Sequence, residues 1–107
     1  MPTETAPLKA EAPRLPATPE LLEIARRVCW WKAPDETLAD PITFIARVMT
    51  LGSWEEVQVA RAQVGHEPFH RVLEHPPAGI FDLRSWHYWH HALGFAVVPP
   101  LPQRRFP

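Results

Sequence analysis

The sequence predicts an all-α protein, a compact bundle of about five short helices between Pro-rich termini. Two observations favour this fold class. Apolar residues recur at spacings of three and four, which is the period of an amphipathic helix. Helix-start signals, each an N-cap residue followed by proline or an acid, alternate with glycine and proline stops between residues 18 and 94. Only residues 95–98 resemble a short strand.

The prolines divide the chain into three parts. Of the fourteen prolines, five lie in the first nineteen residues and four in the last nine, whereas an average protein contains about 5% proline. We therefore predict a disordered Pro/Ala/Glu-rich tail at 1–17, one helical domain at 18–94 and a Pro-rich strap or arm at 95–107. Residues 99–105 also fit the pattern of an SH3-domain ligand, but the strap or basic contact arm is the preferred interpretation.

The first two helices begin with proline in the first turn, where a missing N–H costs nothing. The first follows the start signal at 18–20, in which threonine is the N-cap, and runs to Trp31 before Pro34. The second has Asp40 as its N-cap and ends at Gly52. Each has an apolar stripe at helical spacing.

Three further helices are predicted at 53–65, 67–75 and 82–94. Ser53 and Glu56 form a capping box at the start of the first of these. Together the five helices bring one set of apolar side chains inward. The predicted core is Phe44, Ile45, Val48, Met49, Trp54, Val57, Phe69, Leu73, Trp86, Trp89 and Leu93.

Charge and composition argue against several classes of protein. The net charge is −1, so the basic footprint of a general nucleic-acid binder is absent. A single cysteine, Cys29, rules out an internal disulfide, suits a reducing compartment, and has no evident base that would make it a nucleophile. No apolar run approaches the ~20 residues of a membrane helix, and the first residues lack the pattern of a signal peptide. We therefore expect a cytoplasmic protein.

Two histidine patterns resemble metal-binding motifs, but we interpret neither of them as a metal site. Residues 66–70 match the H-E-x-x-H motif of zinc proteases, but Pro68 places the helix start near Glu67 and leaves His66 outside the helix. His87 and His91 are one helical turn apart, without a nearby carboxylate or cysteine to complete a site. Aromatic residues interleave them, which favours a mixed packing face, so no metal or other cofactor is predicted.

Two Arg–His pairs keep a catalytic alternative open. Arg61 with His66, and Arg84 with His90, fit the loose R-x4–6-H pattern of helical RNases of the HEPN class. Such a pattern arises easily by chance in a chain with six histidines and nine arginines. His90, on the core side of its helix, is predicted to be a hydrogen-bonded core residue. A small RNase or metal-dependent hydrolase is the alternative function.

A DNA-binding autoregulator is a third possibility, since the second and third helices could form a helix-turn-helix. The joint at 51–53 is suitably short. The third helix, however, would present Glu55 and Glu56 to the phosphates at its first turn, which argues against this interpretation.

Aromatic and basic residues outside the predicted core favour protein contact instead. Two adjacent tryptophans on a helix cannot both face one core, so one of Trp30 and Trp31 is expected at the surface unless the turn of the chain at Pro34 buries both. Aromatic and arginine side chains are enriched at binding hot spots. The last helix carries a second mixed face, and the C-terminal arm carries two arginines. The predicted partner-binding residues are Trp30, Trp31, Lys32, Arg84, His87, Tyr88, His91, Arg104 and Arg105.

The segments 30–32, 40–41, 44–52 and 81–89 together resemble one bacterial family. These are short helical proteins encoded beside nucleotidyltransferases of the AbiEii/AbiGii toxin type, with an F-I-x-R-V-M-x-x-G helix followed by R-S-x-x-[YF]-W. The resemblance covers residues 30–105, and its motifs concern packing and capping. It implies a non-enzymatic antitoxin or partner of a nucleotidyltransferase-like toxin, and it carries over no catalytic residue.

Overall fold

The computed structural model describes residues 15–101, which form an all-helical globule, so the predicted fold class is confirmed. None of these residues forms a strand, and residues 95–98 adopt irregular backbone. The helices are α1 (Pro19–Val28), α2 (Pro34–Leu38), α3 (Pro41–Leu51), α4 (Trp54–Val64), α5 (Glu67–Glu74) and α6 (Leu83–Ala92). None of the described helices is long and apolar enough to cross a membrane.

Local capping chemistry determines most of the helix starts. Side chains of the N-cap residues accept backbone N–H groups at Thr18, Asp40, Ser53 and Asp82, as the sequence indicates. Ser53 and Glu56 complete the predicted capping box. Asp82 and Ser85 form a second, reciprocal pair. These bonds satisfy N–H groups that have no partner within their own helix.

The first helix departs from its predicted course. It ends at Val28 rather than Trp31, and Pro34 begins the short helix α2 instead of only stopping the one before. Proline ends a preceding helix because it lacks an N–H and its ring clashes with the carbonyl four residues earlier. Neither matters in a first turn, where its fixed φ is already helical. Between the two helices the chain makes a tight turn, in which Lys32 N donates to the carbonyl of Cys29 at 3.1 Å.

Helix α3 occupies the centre of the fold. Its side chains from Phe44 to Ala46 are buried in succession, and it contacts each of the other five helices. The indole N–H of Trp89 on α6 donates to the carbonyl of Met49 at 2.8 Å. From α1, Arg27 donates to the carbonyl of Leu51 at 2.8 Å. Two carbonyls at the C-terminal end of α3 thus receive donors from neighbouring helices.

The predicted core is buried except at two positions. Trp54 is 63% exposed, so its assignment to the core was wrong, and Leu93 is half-buried against the core. Trp54 is the first residue of α4, and helical side chains lean toward the N-terminus. Its indole therefore extends past the start of the helix. His90 is buried as predicted, with Nδ1 2.8 Å from the carbonyl of Trp86.

Residues 1–14 of the predicted N-terminal tail and residues 102–107 of the predicted C-terminal strap lie outside the described residues, which begin at Leu15 and end at Leu101. At the first of these boundaries, Leu15 is buried, and its N–H donates to the carbonyl of Leu38 at 3.2 Å. At the other, the carbonyl of Pro99 accepts the indole N–H of Trp86 at 2.8 Å. Both contacts attach the chain beyond the helices to the body of the protein.

Substituting two tryptophans tests the corrected core. Trp89→Ala removes a buried side chain and leaves a cavity, so we expect the free energy of unfolding to fall by about 3–5 kcal/mol. Trp54→Ala removes an exposed side chain and should lower it by less than about 1 kcal/mol. Urea denaturation measures both values. Equal losses for the two variants would contradict the placement of Trp54.

Glu56 generates a prediction about pH. It caps α4 and accepts two hydrogen bonds from Arg27 on α1, and these bonds lower its pKa below the ordinary 4.5. A carboxyl group with a lowered folded-state pKa stabilises the protein above its ordinary pKa, and this contribution is lost as the pH falls through the folded-state value. Glu56→Gln should therefore destabilise the protein at pH 7 by about 1 kcal/mol.

Below pH 4.5 the difference between wild type and Glu56→Gln should shrink, because the wild-type carboxyl becomes protonated. Denaturation curves at a series of pH values measure this. Glu74→Gln, an exposed change at the end of α5, provides the control. A wild-type advantage that stays constant down to pH 2 would show that the Arg27 contact does not depend on the charge of Glu56.

Candidate protein-binding surface

The turn after α1 exposes two adjacent tryptophans. Val28 and Cys29 are both buried, and the chain then turns away from the core. As a result Trp30 is 77% exposed and Trp31 is 49% exposed. Their rings make an edge-to-face contact with centroids 5.5 Å apart. The two rings are therefore exposed side by side, as an aromatic contact surface at this turn would require.

Arg47 of α3 joins these tryptophans. Its guanidinium carbon lies 5.1 Å from the centre of the Trp31 ring, within the range of a cation–π interaction. The Nε atom of Arg47 is buried and has no hydrogen-bond partner among the described residues. The side chain is thus partly desolvated against the indole. We call Trp30, Trp31, Lys32 and Arg47 the tryptophan patch.

A second surface lies where α3 ends, α4 begins and α6 passes by. It is a groove of about 470 Å³, and we call it the α6 groove. Two exposed aromatic side chains line it, Trp54 at 63% and Tyr88 at 51% exposure. Its complete lining is Met49, Thr50, Gly52, Trp54, Val57, Asp82, Arg84, Ser85, Tyr88 and Trp89.

Helix α3 carries residues of both surfaces. Arg47 and Leu51 are one turn apart and share a helix face, and Leu51 is 51% exposed. Thr50, three residues after Arg47 and on the other side of it from Leu51, lines the α6 groove. The turn at Gly52 is tight, because a Cβ there would come within 2.5 Å of the carbonyl oxygen of Val48. The two surfaces are therefore joined through one rigid element.

The structure brings together some of the predicted contact residues. Arg84 and Tyr88 line the α6 groove. His87 and His91 are exposed on the same helix but do not line the groove, and His87 Nδ1 lies 3.0 Å from the carbonyl of Leu83. The two predicted residues of the C-terminal arm, Arg104 and Arg105, lie outside the described residues.

The predicted contact residues did not include Arg47 of the tryptophan patch or Trp54 of the α6 groove. They also lacked Leu51, which is exposed one helical turn from Arg47. For Trp54 a signal was available, since it directly follows the N-cap Ser53, and a side chain at the first helical position tends to overhang the helix end. Leu51 occupies the last position of its helix, where a stripe of apolar residues is least reliably buried. The contact of Arg47 with Trp31 depends on tertiary packing and has no local signal.

The H-E-x-x-H segment does not bring its histidines together on a helix. His66 precedes α5 as its N-cap, so it lies outside the helix as predicted, and Pro68 lies in the first turn. His66 contacts Arg61, whereas the ring of His70 stacks on Phe95 with centroids 5.3 Å apart. The described residues contain no group of three or more His, Cys, Asp or Glu side chains arranged to hold a metal ion.

The two Arg–His pairs differ. Arg61 places a guanidinium nitrogen 2.9 Å from Nδ1 of His66, next to solvent at the turn between α4 and α5. Arg84 is exposed, whereas His90 is buried against Trp86 and so cannot share a pocket open to substrate with it. Only the first pair has the proximity that joint action on a phosphodiester requires.

Cys29, Glu55 and Glu56 bear on two other hypotheses from the sequence, a cysteine nucleophile and a helix-turn-helix. Burial raises the pKa of the Cys29 thiol, which keeps it in the unreactive protonated form. Glu55 is exposed in the first turn of α4, and Glu56 beside it binds Arg27. A helix-turn-helix that used α4 as its recognition helix would bring both acids toward DNA phosphates.

Comparison with family models, with curated proteins and with solved structures finds nothing that matches this chain.

Proposed function

We propose that this protein is a non-enzymatic binding module that contacts a protein partner through the tryptophan patch and the adjoining α6 groove. The observation that carries the proposal is the 77% exposure of Trp30 beside the half-exposed Trp31. Leaving two indoles in water is unfavourable, and covering them removes a large apolar area from solvent. Tryptophan, tyrosine and arginine are the residues most enriched at energetic hot spots.

The chemistry of the two surfaces supports a protein partner. The aromatic rings provide apolar area that costs little conformational entropy to order, since each has only two side-chain torsions. Lys32, Arg47 and Arg84 add positive charge beside them, and Asp82 adds a negative group. Such a combination of apolar centre and mixed polar margin fits an interface that orients its partner by charge.

For the identity of the partner, the proposal rests on the family resemblance of residues 30–105. It points to a nucleotidyltransferase-type toxin in the bacterial cytoplasm, with this chain as antitoxin or supporting partner. Trp30, Trp31, Lys32, Arg84, His87, Tyr88 and His91 remain the proposed contact residues of the described chain. Arg47 and Trp54 are added to them because they belong to the two surfaces, and Leu51 because it is exposed one helical turn from Arg47.

Capture of the partner tests this proposal. Tagged wild-type protein, incubated with lysate of its native cells, should retain a nucleotidyltransferase in near-stoichiometric amount, identified by mass spectrometry. In the double variant Trp30→Ala/Trp31→Ala, the affinity for this partner should fall by about 30-fold or more. That loss corresponds to roughly 2 kcal/mol of binding free energy. The physical reason is the loss of the apolar area that the partner covers.

Val97→Ala is the matched control, because it truncates another exposed apolar side chain, 73% exposed, outside both surfaces. It should retain the partner as wild type does, and circular dichroism verifies that all variants are folded. Equal capture by the tryptophan variant, or the absence of any nucleotidyltransferase, would contradict the proposal.

The Arg61–His66 contact favours a second candidate function, an RNase acting on exposed phosphodiesters. In such a reaction Arg61 moves from His66 Nδ1 to the phosphate oxygens and stabilises their negative charge. The imidazole of His66 takes the proton of the attacking 2′-hydroxyl. The new P–O2′ bond displaces the 5′-oxygen, which leaves with a proton from water, and the product is a 2′,3′-cyclic phosphate. Both side chains meet at a solvent-accessible turn, with 2.9 Å between their nitrogens.

Single substitutions test the catalytic alternative. If the pair cleaves RNA, Arg61→Ala and His66→Ala should each lower the cleavage rate of a fluorogenic RNA by about 100-fold or more. His75→Ala, an exposed histidine at the end of α5, should retain the full rate. Cleavage that copurifies with wild type and survives both changes would reject this pair as the source of activity.

A further inference from the structure

Helices α1 and α4 are antiparallel neighbours, and side-chain hydrogen bonds connect them at both ends. At one end the hydroxyl of Thr18 donates to Gln63 at 2.6 Å, and the amide of Gln63 donates to Glu20 at 3.2 Å. At the other end Arg27 donates two hydrogen bonds to Glu56. The start of α1 thus meets the end of α4, and the end of α1 meets the start of α4.

A third surface feature lies between these two sets of hydrogen bonds, and we call it the α1–α4 groove. It has a volume of about 400 Å³ and shares no lining residue with the tryptophan patch or the α6 groove. Pro19, Ile24 and Val59 supply its apolar lining. The remaining lining residues are the four glutamates Glu20, Glu23, Glu55 and Glu56, and none of the basic residues within 15–101 lines the groove.

The margin of this groove carries net negative charge. Arg26 binds Glu23 at 2.9 Å and Arg27 binds Glu56, so two of the four carboxylates are partly neutralised. A backbone N–H and Gln63 lower the pKa of Glu20 and keep it ionised at neutral pH. Glu55 is exposed in the first turn of α4, beside the groove. Four acids and two adjacent arginines leave an excess of two negative charges.

We propose that the α1–α4 groove binds a basic amphipathic helix of a protein partner. A helix laid between two antiparallel helices places one apolar stripe on the groove floor, as in other helix-in-groove complexes. Lysine or arginine on either side of that stripe would then face the glutamates, so the charges are complementary. Nucleic acids and anionic membranes are negatively charged, like the groove itself, and are therefore repelled by it.

The hydrogen bonds at both ends of the α1–α4 groove make it suitable for binding a helix. Because side-chain bonds hold α1 and α4 together on both sides of the apolar floor, a ligand helix meets a surface that is already ordered. Preorganisation of this kind reduces the entropy lost on binding. The proposal rests on residues distinct from those of the tryptophan patch, so it stands or falls independently of the proposed function.

The test uses a fluorescein-labelled, 14-residue peptide of leucine and lysine, with the leucines along one helical face, and measures fluorescence anisotropy. Glu23→Gln/Glu55→Gln removes two groove carboxylates and should weaken binding about fivefold, with weaker salt dependence. Glu36→Gln/Glu74→Gln removes the same charge from α2 and α5 and should leave the affinity unchanged. Glu56 is retained in both variants because it caps α4.

A second measurement locates the peptide. Addition of the peptide should shift the methyl NMR signals of Ile24 and Val59, and Trp30→Ala should leave the affinity unchanged. Equal loss of affinity in the two glutamine variants would show a response to overall charge and overturn the proposal. It would also be overturned by equal binding of a scrambled peptide of the same composition, or by shifts confined to the α6 groove.

Discussion

The burial of α3 is the constraint on which the rest of the structure depends. A chain of this length has a small interior, and α3 fills the middle of it with consecutive buried residues from Phe44 to Ala46. Every other helix covers part of its apolar stripe by contacting α3. Removing any one of them would expose α3 itself, so the helices stabilise one another through a shared neighbour.

This arrangement also explains why the surface has grooves. Helices that each contact a common centre meet one another only along part of their length, and their outer edges leave space between them. The α1–α4 groove and the α6 groove both lie at such edges. Their chemistry differs because the first has glutamates along its margin, whereas the second has Trp54 and Tyr88.

Sequence patterns were informative where the interaction is local. The caps at Thr18, Asp40 and Ser53 involve residues three positions apart, and they could be predicted from the letters alone. The helical period also identified most of the core. It failed at Trp54, because periodicity indicates which residues share a face but not whether a neighbouring element covers the end of that face.

The candidate surfaces were predictable to a smaller extent. The adjacent tryptophans indicated that one of Trp30 and Trp31 would reach the surface from a helix. In the structure α1 has already ended at Val28, and both side chains are exposed. The partner of Trp31, Arg47, is sixteen residues away and was brought to it by the packing of α1 against α3. The α1–α4 groove likewise depends on Thr18 and Gln63, which are 45 positions apart. Contacts at such separations leave no periodic signal.

The buried thiol of Cys29 gives the protein an internal reporter. It directly precedes the two exposed tryptophans, and its reactive form is suppressed by burial. An alkylating reagent can reach the sulfur only when the turn at residues 29–32 opens. The rate of alkylation therefore measures how often this turn opens. A protein bound to the neighbouring indoles would keep the turn closed and lower the rate of Cys29 alkylation. Binding could then be followed without attaching a label to the contact surface.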